Sequence, residues 1–318
     1  MESIQPVIAR REVTTRILQA FHLKADKNLG QNFLVEESVV NRIAKAAELT
    51  PADTVLEIGP GIGTLTQALA LTGASVVSVE LDKRLLPVLQ ETVGAYENVR
   101  IVQGDILKIN IPEVIASSKA DDNAAEIAGI TDGEVTDYTK QSGKKTDLQK
   151  NVPAFKVCAN LPYYITTPII MNLLEQKLPL ERLVVMVQKE VAERMTASPG
   201  GRDYGAISVA MQYYTEPKIA FIVKAGSFLP APKVDSAVLV CKRRTVPPVD
   251  VDEKLFFKVV AAAFSVRRKM LSNSLKNMGG LNSEQVKSWL ERAGIDGKRR
   301  AETLGLEEFA MLARAWKV

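Results

Sequence analysis

Histidine, cysteine and aromatic residues are scarce in this chain, which holds one His, two Cys and 6% Phe, Trp and Tyr in 318 residues. His22 has no histidine partner for a metal site and no context suggesting a triad, so it reads as a surface or packing residue. Cys158 lies in an apolar run and Cys241 ends Val238-Leu239-Val240, so both read as buried thiols. That argues against a disulfide framework and a thiolate centre, and no metal is expected. No stretch reaches the roughly 20 apolar residues that a membrane span needs. Residues 1–16 lack the long apolar core and small-residue cleavage pattern of a signal peptide. A soluble, unexported protein is expected, cytoplasmic and without a membrane partner. With 46% hydrophobic residues the chain can bury a sizeable core, and its length allows about two domains.

Charge is unevenly spread. The net value is only +4, but from Cys241 to Val318 there are 16 Lys/Arg against 9 Asp/Glu, a local excess of seven. Arg267-Arg268-Lys269 and Lys298-Arg299-Arg300 are the densest clusters. A basic end of this kind suits a polyanion, with ordinary solvated helix faces as the plainer reading.

Along the chain, short apolar strands alternate with helical spacing. Val35, Val39, Ile43, Ala46 and Ala47 predict an amphipathic helix over 35–49. Strand 54–58 runs into Gly59-Pro60-Gly61-Ile62-Gly63 and then a helix from about Thr64. Such glycines let backbone approach a ligand closely, and the helix start offers unpaired N–H groups. The G-x-G-x-G spacing differs from the dinucleotide fingerprint, which disfavours a nicotinamide cofactor. The next strand ends in Glu80, about 21 residues after Gly59, where a doubly wound sheet places a carboxylate beside a ribose. A third strand ends near Asp105. A fourth, 154–159, stops at Asn160-Leu161-Pro162-Tyr163, where an amide, a fixed backbone and a flat ring could hold a planar base with an exocyclic amine. Ligands in open α/β sheets bind along the carboxyl ends of the strands, so four successive ends with candidate residues favour one shared crevice.

Three domain features are expected: an N-terminal extension over 1–27, an α/β domain with a doubly wound, mostly parallel sheet over 28–245, and a small basic all-helical domain over 246–318. The best linker is Thr245-Val246-Pro247-Pro248. Residues 117–151 carry 7 acidic and 5 basic residues and few large apolar ones, and read as a long exposed insertion.

Glu57-Ile58-Gly59-Pro60-Gly61-Ile62-Gly63, with an acidic strand end after it, resembles motif I of S-adenosylmethionine-dependent methyltransferases. Asn160-Leu161-Pro162-Tyr163 resembles motif IV of enzymes that methylate an adenine amine. Several further segments complete the likeness: 30–34, 188–194, Tyr204-Gly205, 228–236, 264–271 and 300–304. Together they resemble the KsgA-type small-subunit ribosomal RNA adenine dimethyltransferases over nearly the whole chain from Asn28. An insertion at 117–151 looks longer than that family usually carries.

The resemblance implies a Rossmann-like class I methyltransferase fold with S-adenosylmethionine as donor and S-adenosylhomocysteine as product. Donor contacts fall on Asn32, Leu34, Gly59, Gly61, Glu80, Asp105 and Asn160. Asn160 and the main-chain carbonyl of Leu161 would take the amine hydrogens, Tyr163 would stack on the base, and Phe228 is a candidate for its opposite face, with core packing as the plainer reading of an aromatic before a Pro-rich loop. Arg267, Arg268 and Lys269 would contact RNA. The implied substrate is 16S ribosomal RNA in an immature small subunit, dimethylated at N6 of two adjacent adenosines near its 3′ end by a monomer. Competing readings are a large-subunit RNA methylase, a non-catalytic assembly factor and a nicotinamide oxidoreductase.

Overall fold

The computed structural model describes residues 6–26, 30–116, 152–266 and 268–316. The predicted insertion at 117–151, and Arg267, lie outside the described residues. Two compact units emerge: Met1–Lys189 with Ile219–Cys241, and Glu190–Lys218 with Lys242–Val318.

In the first unit α1 (Arg11–Ala20) and the short β1 (Phe33–Leu34) precede α2 (Glu37–Ala46). Then β2 (Thr54–Ile58), α3 (Thr64–Ala70), β3 (Ser75–Glu80), α4 (Leu86–Val93), β4 (Val99–Gln103) and α5 (Ile111–Ala116) alternate. After them come β5 (Phe155–Asn160), α6 (Thr166–Glu175) and β6 (Leu180–Gln188). The later strands are β7 (Thr215–Val223), β8 (Phe228–Leu229) and β9 (Ser236–Arg243). Seven strands form one sheet in the order β4-β3-β2-β5-β6-β9-β7. The pairs β4–β3, β3–β2, β2–β5 and β5–β6 are all parallel. This is the mostly parallel doubly wound sheet that the alternation predicts.

Register explains why these strands read as continuous apolar runs. Val55, Val76 and Val99 stand side by side and face the core built with Val39, Val40 and Ile43 of α2 and Leu65 and Leu69 of α3. One residue on, Leu56, Val77 and Arg100 face the other way, where the Arg100 guanidinium donates to the carbonyl of Val114 in α5. With both faces covered, most positions of these strands carry apolar side chains.

Residues 6–20 are not a loose extension of this unit. Ile8 and Ala9 are buried in its core, the Ile8 N–H donates to Gln67 Oε1 at 3.0 Å, and Gln67 Nε2 donates to the Pro6 carbonyl at 3.2 Å. Arg11 Nη2 donates to the Gly226 carbonyl at 2.8 Å. The sequence shows little of this anchoring, since α1 itself buries only Val13 and Thr14. A two-stranded antiparallel ladder, equally hidden in the sequence, pairs Phe33 with Leu229 and Leu34 with Phe228.

The second unit is helical apart from strand ends: α7 (Lys189–Thr196), α8 (Ala206–Tyr214), α9 (Glu253–Phe264), α10 (Leu271–Ser274), α11 (Ser283–Ala293) and α12 (Leu306–Arg314). Glu190–Lys218, expected with the α/β domain, clusters here because Tyr213 stacks on Phe256 at 5.0 Å and Tyr204 meets Phe264 edge-on. Trp289 donates its indole N–H to the Leu312 carbonyl at 2.7 Å, satisfying the polar atom of a buried ring. Asn282 and Gln285 close a capping box on α11. An antiparallel bridge between Met270 and Arg300 ties together the two basic clusters seen in the sequence. Arg268, Lys269, Lys298 and Arg300 remain exposed or half-exposed, whereas Arg299 is turned onto Glu308 and Thr303.

Candidate active site

A cleft opens where the parallel strands end, lined by Gly30–Leu34, Gly59–Gly61, Glu80, Asp105 and Asn160–Tyr164 among others. All four strand-end candidates named from the sequence therefore meet in one place.

The glycine loop is shaped by left-handed backbone at Gly59 (φ 68°), Gly61 (φ 62°) and Gly63 (φ 87°). At Gly63 a Cβ would also sit 2.8 Å from Val93 Cγ1, so side chains are excluded twice over. At Gly59 a Cβ would meet nothing within 4 Å, which leaves open space on the cleft side of the loop. That unfilled cradle, with acceptors beyond it, fits a donor of nucleoside and amino-acid parts.

Glu80 is only 6% exposed. Its carboxylate accepts the Gly61 N–H at 3.2 Å and the Asp82 N–H at 2.8 Å, which fixes it between glycine loop and strand end. Burial pushes its pKa up to about 7, against the lowering effect of these two hydrogen bonds. Asp105 is partly exposed, accepts the Leu107 N–H at 3.0 Å and pairs with Lys108 at 3.3 Å. Asn32 donates its amide to the Gly30 carbonyl at 2.9 Å, and its own main-chain carbonyl lies 3.5 Å from Asn160 Nδ2. Leu34 lines the cleft wall.

At the mouth, Leu161 hydrogen-bonds through its N–H to the Met186 carbonyl at 3.1 Å, and the Pro162 carbonyl accepts Thr166 Oγ1 at 3.0 Å. These contacts tie the Asn-Leu-Pro-Tyr turn to β6 on one side and to the start of α6 on the other. The Tyr163 hydroxyl lies 2.7 Å from Ser236 Oγ, which orients the ring. Burial raises its pKa and keeps the hydroxyl neutral. Tyr164 stands beside it, 52% exposed and also lining the cleft.

Phe228, the candidate for the base's opposite face, instead takes its plainer reading as a core residue. It is 1% exposed and packed in the core with Val39, Val40 and Val223, and it does not line the cleft. Its pairing with Leu34 brings the ring to that core, so it presents no face to a base. Arg268 and Lys269 belong to the second unit and are exposed.

Glu57 opens the motif I segment but is not among the site residues expected from the sequence, and it too lines the cleft. It is 1% exposed, accepts Thr66 Oγ1 at 2.7 Å and Ser78 Oγ at 2.6 Å, and is pushed up to about 7 by burial. The one available signal is a carboxylate inside an otherwise apolar strand, since an acid is buried there only with partners. Among the described residues no group of three or more His, Cys, Asp or Glu could hold a metal ion.

Comparison with known proteins matches residues 22–316 to the family described as Ribosomal RNA adenine dimethylase. A protein of Moorella thermoacetica named Ribosomal RNA small subunit methyltransferase A is 46% identical over 289 residues, 91% of either chain. One of the same name from Bacillus cytotoxicus is 44% identical over 314 residues, 97% of either chain. Among solved structures, that of the 23S rRNA methyltransferase ErmE shows 26% identity and a TM-score of 0.59, covering 89% of this chain and 99% of that one. A dimethyladenosine transferase from Plasmodium falciparum shares the fold, with 22% identity and a TM-score of 0.65 over 88% of this chain and 95% of that one.

Proposed function

Because this chain belongs to the ribosomal RNA adenine dimethylase family, we propose that it dimethylates N6 of two adjacent adenosines in the hairpin loop near the 3′ end of 16S ribosomal RNA. It acts in the cytoplasm, as a monomer, on an immature small subunit late in its assembly. The observation that carries this reading is the cleft itself, in which Gly59, Glu80, Asp105 and Asn160–Tyr163 converge at the carboxyl ends of parallel strands.

Gly59 and Gly61, with Asn32 and Leu34 also in the lining, would hold the donor, with Glu80 accepting from its ribose hydroxyls and Asp105 from its adenine amine. Bound there, S-adenosylmethionine supplies an electrophilic methyl group on a sulfonium that leaves as S-adenosylhomocysteine without needing an acid. An adenine amine is a poor nucleophile because its lone pair is delocalised into the ring, so the protein's work is alignment and electrostatics. The Asn160 side-chain carbonyl and the Leu161 main-chain carbonyl accept the two amine hydrogens, which favours a tetrahedral nitrogen with its lone pair aimed at the donor. Tyr163, its ring oriented by Ser236, stacks on the flipped base. The proton leaves the nitrogen for solvent after transfer, and Asn160 holds the amine while it goes.

The basic cluster Arg267-Arg268-Lys269, of which Arg268 and Lys269 are exposed, contacts RNA phosphates. Small-subunit relatives at 44–46% identity over at least 91% of the chain favour this address over that of the 23S enzyme at 26%. Labelled methyl transferred to small-subunit particles and mapped by nucleotide tests it. Two adjacent dimethyladenosines with the native chain and none with Asn160→Ala are expected. Undiminished incorporation by that variant sinks the assignment.

A further inference from the structure

Beside the donor cleft lies a polar cluster to which the proposed chemistry gives no part. Asp82 follows Glu80 by two residues and holds it through its main-chain N–H, 2.8 Å from Glu80 Oε1. The Asp82 side chain is buried, yet every direction around its carboxylate is used. Oδ1 accepts the Arg84 N–H at 3.1 Å and Arg84 Nε at 2.9 Å, and Oδ2 accepts Arg84 Nη2 at 2.7 Å and Gln31 Nε2 at 2.9 Å. Gln31 precedes Asn32 in the segment that lines the opposite wall. Its Oε1 accepts the Asp26 N–H at 2.9 Å, and its own N–H donates to the Asp26 carbonyl at 3.1 Å. Arg84 Nη2 completes the circuit at Asp26 Oδ2, 3.2 Å away.

We propose that Asp26, Gln31, Asp82 and Arg84 form a positioning latch that fastens the segment Gly30–Leu34 to the ribose end of β3 and thereby sets how tightly the methyl donor and its product are held. This rests on the reading of the cleft as the donor site. Phe33 and Leu34 are buried and join the ladder, so the fastening acts on the Gly30–Asn32 end of the segment, which is only half-buried, joins no ladder and has left-handed backbone at Gly30. A wall that is free to swing out is binding-competent only part of the time, and apparent affinity falls by that fraction. Gln31 joins the two sides, because one amide bonds both Asp82, just past the end of β3, and Asp26. Arg84 stands outside the cleft lining and supplies the charge that keeps the buried Asp82 carboxylate ionised and facing Gln31.

The latch acts on donor and product alike, since both carry the ribose and adenine that Glu80 and Asp105 face. It should therefore appear in the affinity for both ligands more than in the chemical step.

Calorimetric binding of S-adenosylhomocysteine to the full chain tests the proposal, with thermal unfolding of the ligand-free protein beside it. Arg84→Ala should weaken binding about tenfold, as when the competent fraction drops to about a tenth. Its kcat at saturating donor should stay within about twofold of the native chain. Asp26→Asn should weaken binding less, and the double variant should fall short of the product of the two single effects, because both break one circuit. Glu80→Ala serves as the control on the cleft. If it binds as the native chain does, the donor-site reading itself fails. If it loses binding while Arg84→Ala keeps native affinity, only the latch is overturned. A lowered melting temperature for Arg84→Ala with native affinity also overturns the latch, since that is plain structural support. Should Arg84→Ala not fold, Gln31→Leu replaces it in the same measurements.

Discussion

Glu57 and Glu80 are two buried carboxyls on neighbouring parallel strands, both pushed up to about 7, and each raised mainly by loss of water. Their proton binding carries opposite consequences for stability and for ligand. The folded values exceed the ordinary 4.5, so the folded chain keeps protons that the unfolded chain has released. Stability should fall as pH climbs from about 4.5 to about 7 and then level off, by up to about 1.4 kcal/mol per pH unit for each group. Donor affinity should rise over the upper part of the same range, because an ionised Glu80 would accept from the ribose hydroxyls through charge-assisted bonds, whereas a protonated one accepts more weakly and carries a proton on one oxygen. Denaturant titrations and calorimetry across about pH 5–8 check both slopes. Glu80→Gln should flatten the affinity profile, and Glu57→Gln should reduce only the stability slope.

Two glycines of one loop should respond differently to alanine. Gly63→Ala meets both a φ of 87° and Val93 at 2.8 Å, and should cost about 2–4 kcal/mol of stability. Gly59→Ala has open space and should cost about 1–2 kcal/mol from backbone strain alone, while its methyl would intrude on the proposed donor site. Unfolding curves should rank Gly63→Ala as the less stable, and donor titrations should show at least a tenfold loss for Gly59→Ala.

Tyr163 should divide into ring and hydroxyl. Tyr163→Ala removes the stacking face and should lower methyl transfer to small-subunit particles by about 5- to 150-fold, equivalent to about 1–3 kcal/mol. Tyr163→Phe keeps the face and loses only the bond to Ser236, so its effect should stay within a few-fold. Donor affinity should be native in both. Single-turnover rates with saturating donor read the difference.

Phe228 provides a direct check on its placement in the core. Phe228→Ala should destabilise the protein by about 3–5 kcal/mol, the usual consequence of emptying a buried aromatic site. Phe228→Leu should retain near-native methyl transfer at temperatures where it is folded. A large loss of rate in a fully folded Phe228→Leu protein would return the ring to the substrate.

The sheet and its strand-end residues are legible in the sequence because burial on both faces writes apolar runs into it, and because Gly59, Glu80, Asp105 and Asn160 each interrupt such a run at its carboxyl end. Helix α1 is less legible, since it is anchored by backbone groups of Pro6 and Ile8 bonded to Gln67, and main-chain partners leave no periodic pattern. Phe228 misleads for a related reason. An aromatic before a Pro-rich loop looks alike whether its ring faces core or ligand, and a pairing partner 194 positions away, Leu34, decides between them. The Asp26–Gln31–Asp82–Arg84 circuit is invisible for the same cause, as it joins segments that the chain brings together only on folding.

The ladder between Phe33 and Leu229 has a consequence for synthesis. Its strands lie 196 residues apart in the chain, and Arg11 waits for the carbonyl of Gly226, 215 residues later. As the nascent chain emerges, α2 and the first parallel strands can begin to pack, but the wall of the cleft carrying Asn32 and Leu34 has no ladder partner until β8 is translated. At about 5–20 residues per second, that leaves the first ~34 residues without it for roughly 10–40 seconds. The donor cleft is thus among the last parts of the first unit to be completed, and a ribosome stalled before Leu229 would display a sheet without a closed methyl-donor pocket.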